Sequence, residues 1–224
     1  MDIKPSLTFS ANSVLLLFCT AAQLFAADPG RTTDTFSALQ QSLTKNAMAT
    51  QNPDEKKSLA DIGDLVNRLA NRRLQSGMSG LPDEFVDSLA ASTTAIDQSL
   101  PPEGPARAEF LANLQRDLEI KDKFSTESFG LRGGFAAIVN VSVETTRNGQ
   151  TVNGLYVRCN PIAYGSKEPP LFPFNSASSP TSRKLPPGRF MLWVENADHQ
   201  RVTLQPVDIG ENGKDSETIR IEIP

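Results

Sequence analysis

Apolar residues recur every three to four positions as far as Ile120 and every second position beyond Phe135, so no single kind of element can bury them all. A period of 3.6 gathers side chains onto one stripe of a helix, whereas a period of 2 gathers them onto one face of a strand. The switch therefore predicts an α+β chain with two segregated domains, an antiparallel helical bundle followed by an antiparallel β-sandwich of about seven strands. The run Gly130-Leu131-Arg132-Gly133-Gly134 stands at the switch and reads as a hinge. On this basis 27–129 is the helical domain, 130–134 the hinge and 135–224 the sandwich.

Four helical stripes are visible: Phe36, Leu39 and Leu43; Leu59, Ile62, Val66 and Leu69; Phe85, Leu89 and Ile96; Leu111, Leu114 and Leu118. Their ends carry stop and start signals. Asn52-Pro53-Asp54-Glu55 opens the second helix with a cap, a proline and two acids. Gly77 and Gly80 close it, Leu81-Pro82-Asp83-Glu84 opens the third, and Pro101-Pro102-Glu103-Gly104-Pro105 separates third from fourth. Short connections favour an up-and-down bundle.

In the second half Ala137, Val139, Val141 and Val143 alternate with polar neighbours. So do Leu155, Val157 and Cys159, then Phe190, Leu192 and Val194, then Ile219, Ile221 and Ile223. Further strands are expected near Leu171–Asn175, Thr181–Leu185 and Val202–Val207. Turn signals lie at Arg147-Asn148-Gly149-Gln150, Pro186-Pro187-Gly188 and Glu211-Asn212-Gly213-Lys214.

The run Asn148-Gly149-Gln150-Thr151-Val152-Asn153-Gly154-Leu155-Tyr156-Val157, with the later Leu185-Pro186-Pro187-Gly188-Arg189-Phe190-Met191-Leu192-Trp193-Val194, resembles the carboxypeptidase regulatory-like, prealbumin-type sandwich family. The resemblance spans about Phe135 to Pro224. It implies a folding, adhesion or accessory module without catalysis and lends no catalytic residue. The long stretch from Asn160 to Arg183 departs from the family pattern.

Residues 1–26 read as a secretory signal, with Lys4, an apolar run from Val14 to Ala22 and small residues at Ala26 and Ala27. The run is roughly 9 to 12 residues, short of the roughly 20 that span a bilayer, so export without an integral membrane segment is expected, to the periplasm or outside the cell. Cys19 follows the bulky Phe18, which argues against a lipid anchor. Loss of Cys19 leaves Cys159 alone, with no internal disulfide possible. A net charge of −4 supplies no general attraction for nucleic acid, which is excluded as a partner.

A thiol nucleophile requires a base, and the one available pairing is Cys159 with His199. Cys159 shares the inward parity of Leu155 and Val157, so an inert thiol is expected, with a weak thiol enzyme as an alternative. One histidine and one remaining cysteine are too few for a zinc site, and Asp208, Glu211, Asn212 and Asp215 lack calcium-loop spacing. No cofactor or metal is implied. Asp61 with Asp64 and Glu84 with Asp87 read as solvated helix faces, and Arg68, Arg72 and Arg73 as a wet face with C-terminal charge. The strand Phe190–Val194 is apolar on both faces, with Met191 and Trp193 opposite Phe190, Leu192 and Val194. Two readings follow: the helical half or the long loop covers that second face, or Trp193, Met191 and Tyr156 bind a partner there. Tyr164, Phe172 and Phe174 in the long loop are further candidates, either for binding or as part of a proline-guarded edge. The expected function is an exported, noncatalytic binding or scaffolding module for a macromolecular partner, protein or polysaccharide, with a carbohydrate-binding module built on exposed aromatics and a weak thiol enzyme as the alternatives.

Overall fold

The computed structural model describes residues 28–75, 80–132, 138–162 and 171–224. Residues 1–26, Tyr164, and Gly133 and Gly134 lie outside the described residues. Helices α1 (Pro29–Ala49), α2 (Pro53–Gln75), α3 (Asp83–Ser99) and α4 (Pro105–Arg132) precede eight strands. These are β1 (Val139–Arg147), β2 (Gln150–Thr151), β3 (Tyr156–Pro161), β4 (Phe172–Pro173), β5 (Thr181–Leu185), β6 (Gly188–Glu195), β7 (Arg201–Ile209) and β8 (Ser216–Glu222). The α+β arrangement, helices first and sheets second, follows the change of period.

The helix starts form where the side chains can cap them. Asn52 Oδ1 accepts from the Asp54 amide at 3.0 Å, and Asp28 Oδ1 accepts from the Gly30 amide at 3.1 Å, each satisfying a donor that a helix leaves open. Helix α2 runs antiparallel to α1, placing Gly63 against Gln40 and Arg73 on Thr33 and Phe36. Helix α3, by contrast, lies parallel to α1: Arg31 pairs with Asp83 at 2.6 Å and with Asp87, and Ser42 donates to Asp97 at 2.6 Å. Helix α4 lies parallel to α2, with Arg107 against Glu55 and Arg72 on Asp122. Directions alternate along the chain, yet two of these packed pairs are parallel, because α3 and α4 cross over rather than fold back on their predecessors. Arg73 is also not on a wet face; it is buried, with its guanidinium over the Phe36 ring.

One sheet centres on β1, which pairs antiparallel with β2 and β5 and parallel with β8. The parallel partner departs from the all-antiparallel expectation. Alternation fixes which face of β8 is buried, but says nothing of its direction. The second sheet runs β4-β3-β6-β7, all antiparallel. Val139, Val141, Val143, Val157, Cys159, Leu192 and Val194 meet between the sheets, as their parity requires. The turn Asn148-Gly149 has both residues at positive φ, which only a residue pair of this kind adopts easily between twisted strands. Pro206 sits on β7, an edge strand, where its missing N–H leaves no ladder bond unmade.

Helix α4 belongs to both cores. Leu111, Leu114 and Leu118 pack in the bundle, while Phe124 is buried among the sandwich residues. The helix continues to Arg132, three residues into the expected hinge. Between its two apolar stretches lie Asp117 and Lys121, both fully buried and ion-paired at 2.5 Å. Asp117 Oδ1 also accepts from the Arg189 amide at 2.8 Å, pinning the helix to the start of β6. A Cβ at Gly188 would fall 2.3 Å from that oxygen, so the approach requires glycine. Outside this pair, Arg116 bridges Asp208 at 3.1 Å and Glu211.

Candidate functional site

The outer face of the β4-β3-β6-β7 sheet carries a cluster of polar and aromatic side chains. Its rows are set by register. Tyr156 stands opposite Glu195, Arg158 opposite Trp193, and Trp193 opposite Leu204; Asn160, Met191 and Pro206 form the next row. All point away from the core by the same alternation that buries Val157, Cys159, Leu192 and Val194.

Glu195 organises the cluster. Its Oε1 accepts from Trp193 Nε1 at 2.7 Å and its Oε2 from Arg158 Nε at 2.7 Å. Nδ1 of His199 lies 3.6 Å from the same Oε2. Burial raises the Glu195 carboxyl, but the hydrogen bonds from Trp193 and Arg158, with the charge of Arg158, outweigh it and hold the group below the usual carboxylate range. His199 adopts a left-handed conformation (φ 58°) in the turn after β6, and its ring centroid is 6.1 Å from that of Tyr156.

Of the two readings left open for this face, covered or binding, the structure gives the first to Trp193 and leaves Tyr156 exposed. Trp193 is only 6% exposed, covered by the guanidinium of Arg201, whose central carbon is 4.9 Å from the ring centroid. This cover comes from β7, the neighbouring strand of the same sheet. Met191 is half-buried, and Tyr156 is 40% exposed. Phe172 and Phe174 are not available for binding: both are 7% exposed and belong to the sandwich core, with Phe172 edge-on to Phe190. Phe172 in β4 and Phe174 just after it face inward, alternating with the exposed Leu171 and Pro173. Glu195, Arg158 and Leu204 were missed, although outward parity on their strands is the signal that could have found them. Arg201 was missed for a different reason. Val194 pairs with Thr203 but Glu195 pairs with Arg201, so Val202 is an extra residue in β7, and this bulge returns Arg201 to the outer face.

The other candidates separate in space. Cys159 is buried within the sandwich, and burial, offset in part by the charge of Arg183, pushes its thiol up to about 12. His199 sits in an exposed turn engaged with Glu195, so the two form no dyad. Asp208 and Glu211 are taken by Arg116 rather than standing as a calcium loop, and among the described residues no three metal-ligating side chains come together. Asp61, Asp64 and Arg68 line a shallow cavity of about 230 Å³ with Glu119. Asp87 is bound to Arg31. A polar cleft of about 320 Å³ opens between the starts of α2 and α4, lined by Glu55, Ser58, Arg107 and Gln115, and there Arg107 Nε touches Glu55 Oε1 at 2.9 Å.

This is an α+β protein whose sandwich half presents a mixed apolar and charged sheet face. No known family profile matches the chain, and no curated protein does. Among solved structures, the crystal structure of (S)-allantoin synthase matches over 81% of this chain and 79% of that one, at 9% identity and a TM-score of 0.30. That protein is an enzyme, so the expectation of a noncatalytic chain is withdrawn. A likeness this slight supplies no argument for any particular activity.

Proposed function

We propose that the chain is exported and that its sandwich half recognises a protein partner outside the cytoplasm through the outer face of the β4-β3-β6-β7 sheet. One observation carries the reading. Of the five large hydrophobic side chains exposed among the described residues, Tyr156 at 40% and Leu204 at 51% stand on this face, and Leu171 at 46% flanks its edge strand β4. Grouped apolar side chains in water, rimmed by charge, mark interfaces more often than chance placement does. The resemblance of this half to carboxypeptidase regulatory-like domains supports an accessory, recognition role. No helix among the described residues is long and apolar enough to cross a membrane.

The test is affinity capture of the tagged chain from envelope and medium fractions, in parallel with Tyr156→Ala/Leu204→Ser. A partner recovered with the native face and lost with the variant supports the reading. Recovery of the same proteins by both overturns it. A polysaccharide partner is the second reading, favoured by the exposed Tyr156 ring and weakened by the burial of Trp193. Retarded migration of the chain in polysaccharide gels, abolished by Tyr156→Ala, would replace the protein partner with a sugar polymer.

A further inference from the structure

We infer that the partner segment is acidic, and that Arg201 receives its carboxylate; this rests on the proposed recognition role of the same face. Arg201 is exposed and stacks on the Trp193 indole, and no carboxylate of the described residues lies within ion-pairing distance of it. Its neighbours are already committed. Arg158 and the indole N–H both bind Glu195, and His199 turns toward the same carboxylate. Asp198, in the turn Asn196–Gln200, is the other acid nearby, and its exposed side chain is not ion-paired to Arg201.

The support beneath Arg201 is layered. Arg158 fixes Glu195, Glu195 fixes the orientation of the indole through its N–H, and the indole supplies a flat, electron-rich seat for the guanidinium. Without the extra residue Val202, strict alternation would turn Arg201 toward the core. The bulge turns it outward, directly in line with Glu195. A guanidinium held in one plane loses less freedom on binding than a loose one, and its fork matches a carboxylate in two parallel hydrogen bonds. Leu204, on the strand of Arg201, and Tyr156, beyond Glu195 in the same row, add apolar surface to this face. The fitting ligand is a peptide segment with an Asp or Glu beside an apolar side chain.

A phage-displayed library of random dodecapeptides, selected on the full chain, tests this without knowledge of the natural partner. Winning peptides are synthesised and titrated calorimetrically against the native chain and Arg201→Gln, and the Trp193 indole N–H signal is followed by NMR. Enrichment of Asp or Glu, movement of the indole signal and about tenfold weaker binding to Arg201→Gln are expected, the loss of one charge-assisted contact. Unchanged melting of Arg201→Gln, an exposed position, confirms that the fold is intact. Peptides that move the indole signal without acid enrichment and bind both chains equally overturn the inference and leave the recognition face standing. Winners that leave the indole signal unmoved, or no winners, count against both. Retardation by alginate that Arg201→Gln abolishes, with no acidic winners, reassigns the carboxylate to a sugar acid and overturns the peptide.

Discussion

Replacing Asp117 with Asn removes one charge from the junction of helix α4 and the sandwich while keeping its shape. The Asn carbonyl still accepts from the Arg189 amide, so the change isolates the charge opposite Lys121. Lys121 is fully buried, and burial pulls its ammonium below the ordinary range against the opposing pull of Asp117. Without Asp117 the lysine either stays charged without its partner, at about 3–5 kcal/mol, or gives up its proton. Deprotonation at pH 7 from an unfolded value near 10.4 costs at most about 4.6 kcal/mol. The expected loss is therefore about 3–5 kcal/mol, a drop of roughly 10 °C in melting temperature for a chain of this size. Its pH dependence has a definite sign. A lysine neutral when folded and protonated when unfolded gives the unfolded state the extra proton, so stability rises with pH up to about 10.4, by about 1.4 kcal/mol per unit. In the native chain the same rise begins only at the higher pH where Lys121 deprotonates in the presence of Asp117. Urea titrations can follow far-UV circular dichroism for the helices and the fluorescence of Trp193, the single tryptophan, for the sandwich. Asp117→Asn/Lys121→Met, which removes both charges and keeps the acceptor for the Arg189 amide, should recover most of that loss. A loss below about 1 kcal/mol in Asp117→Asn, flat between pH 7 and 10, would refute the assignment of a buried, coupled pair.

Gly210 holds a φ of +78°, and a Cβ there would lie 3.0 Å from Phe124 and from Pro187, so Gly210→Ala should destabilise by about 1–3 kcal/mol, read as a lowered melting temperature. Cys159, with its thiol pushed up to about 12, should react with a mild thiol reagent at pH 8 only at the rate of global unfolding; faster native-state labelling contradicts its burial. Trp193→Phe keeps the ring under Arg201 but removes the indole donor to Glu195. The Glu195 carboxyl, depressed when folded, stabilises the native state above its unfolded value near 4.3 and loses this as pH falls through its folded value, so the variant should titrate higher by NMR and unfold at higher pH than the native chain.

Much of the fold was legible because burial follows period. Leu59, Ile62, Val66 and Leu69 recur at helical spacing and all four are buried, as are Val139, Val141 and Val143 at spacing two. Caps and turns were legible for a related reason: Asn52 and the pair Asn148-Gly149 act through their own backbone. Contacts between distant elements left no such trace. The parallel placement of β8 on β1, and of α3 on α1, depends on which surfaces meet after the chain has crossed over. Helix α4 was read only to Ile120 because beyond Leu118 it changes partners, from the bundle to the sandwich, and its apolar residues change face. The buried charges Asp117 and Lys121 at that change of face look in sequence like one more solvated pair four residues apart.

The candidate site shows the same limit at the scale of one residue. Period two puts Tyr156, Arg158, Met191, Trp193 and Glu195 on a single face, and the structure places them there. It puts Arg201 on the other face, since Leu204 points outward and the two lie three positions apart. The bulge at Val202 reverses that parity, and with it the meaning of the tryptophan. An exposed Trp193 would offer a stacking platform for a sugar ring, whereas a Trp193 roofed by Arg201 makes the guanidinium the outermost group. The proposed recognition through this face would then be charge-directed with apolar flanks, and adding salt should weaken it in a way that stacking alone would not. A partner whose affinity is unchanged between 50 mM and 500 mM salt, yet lost with Leu204→Ser, would show that the apolar flanks alone carry the contact.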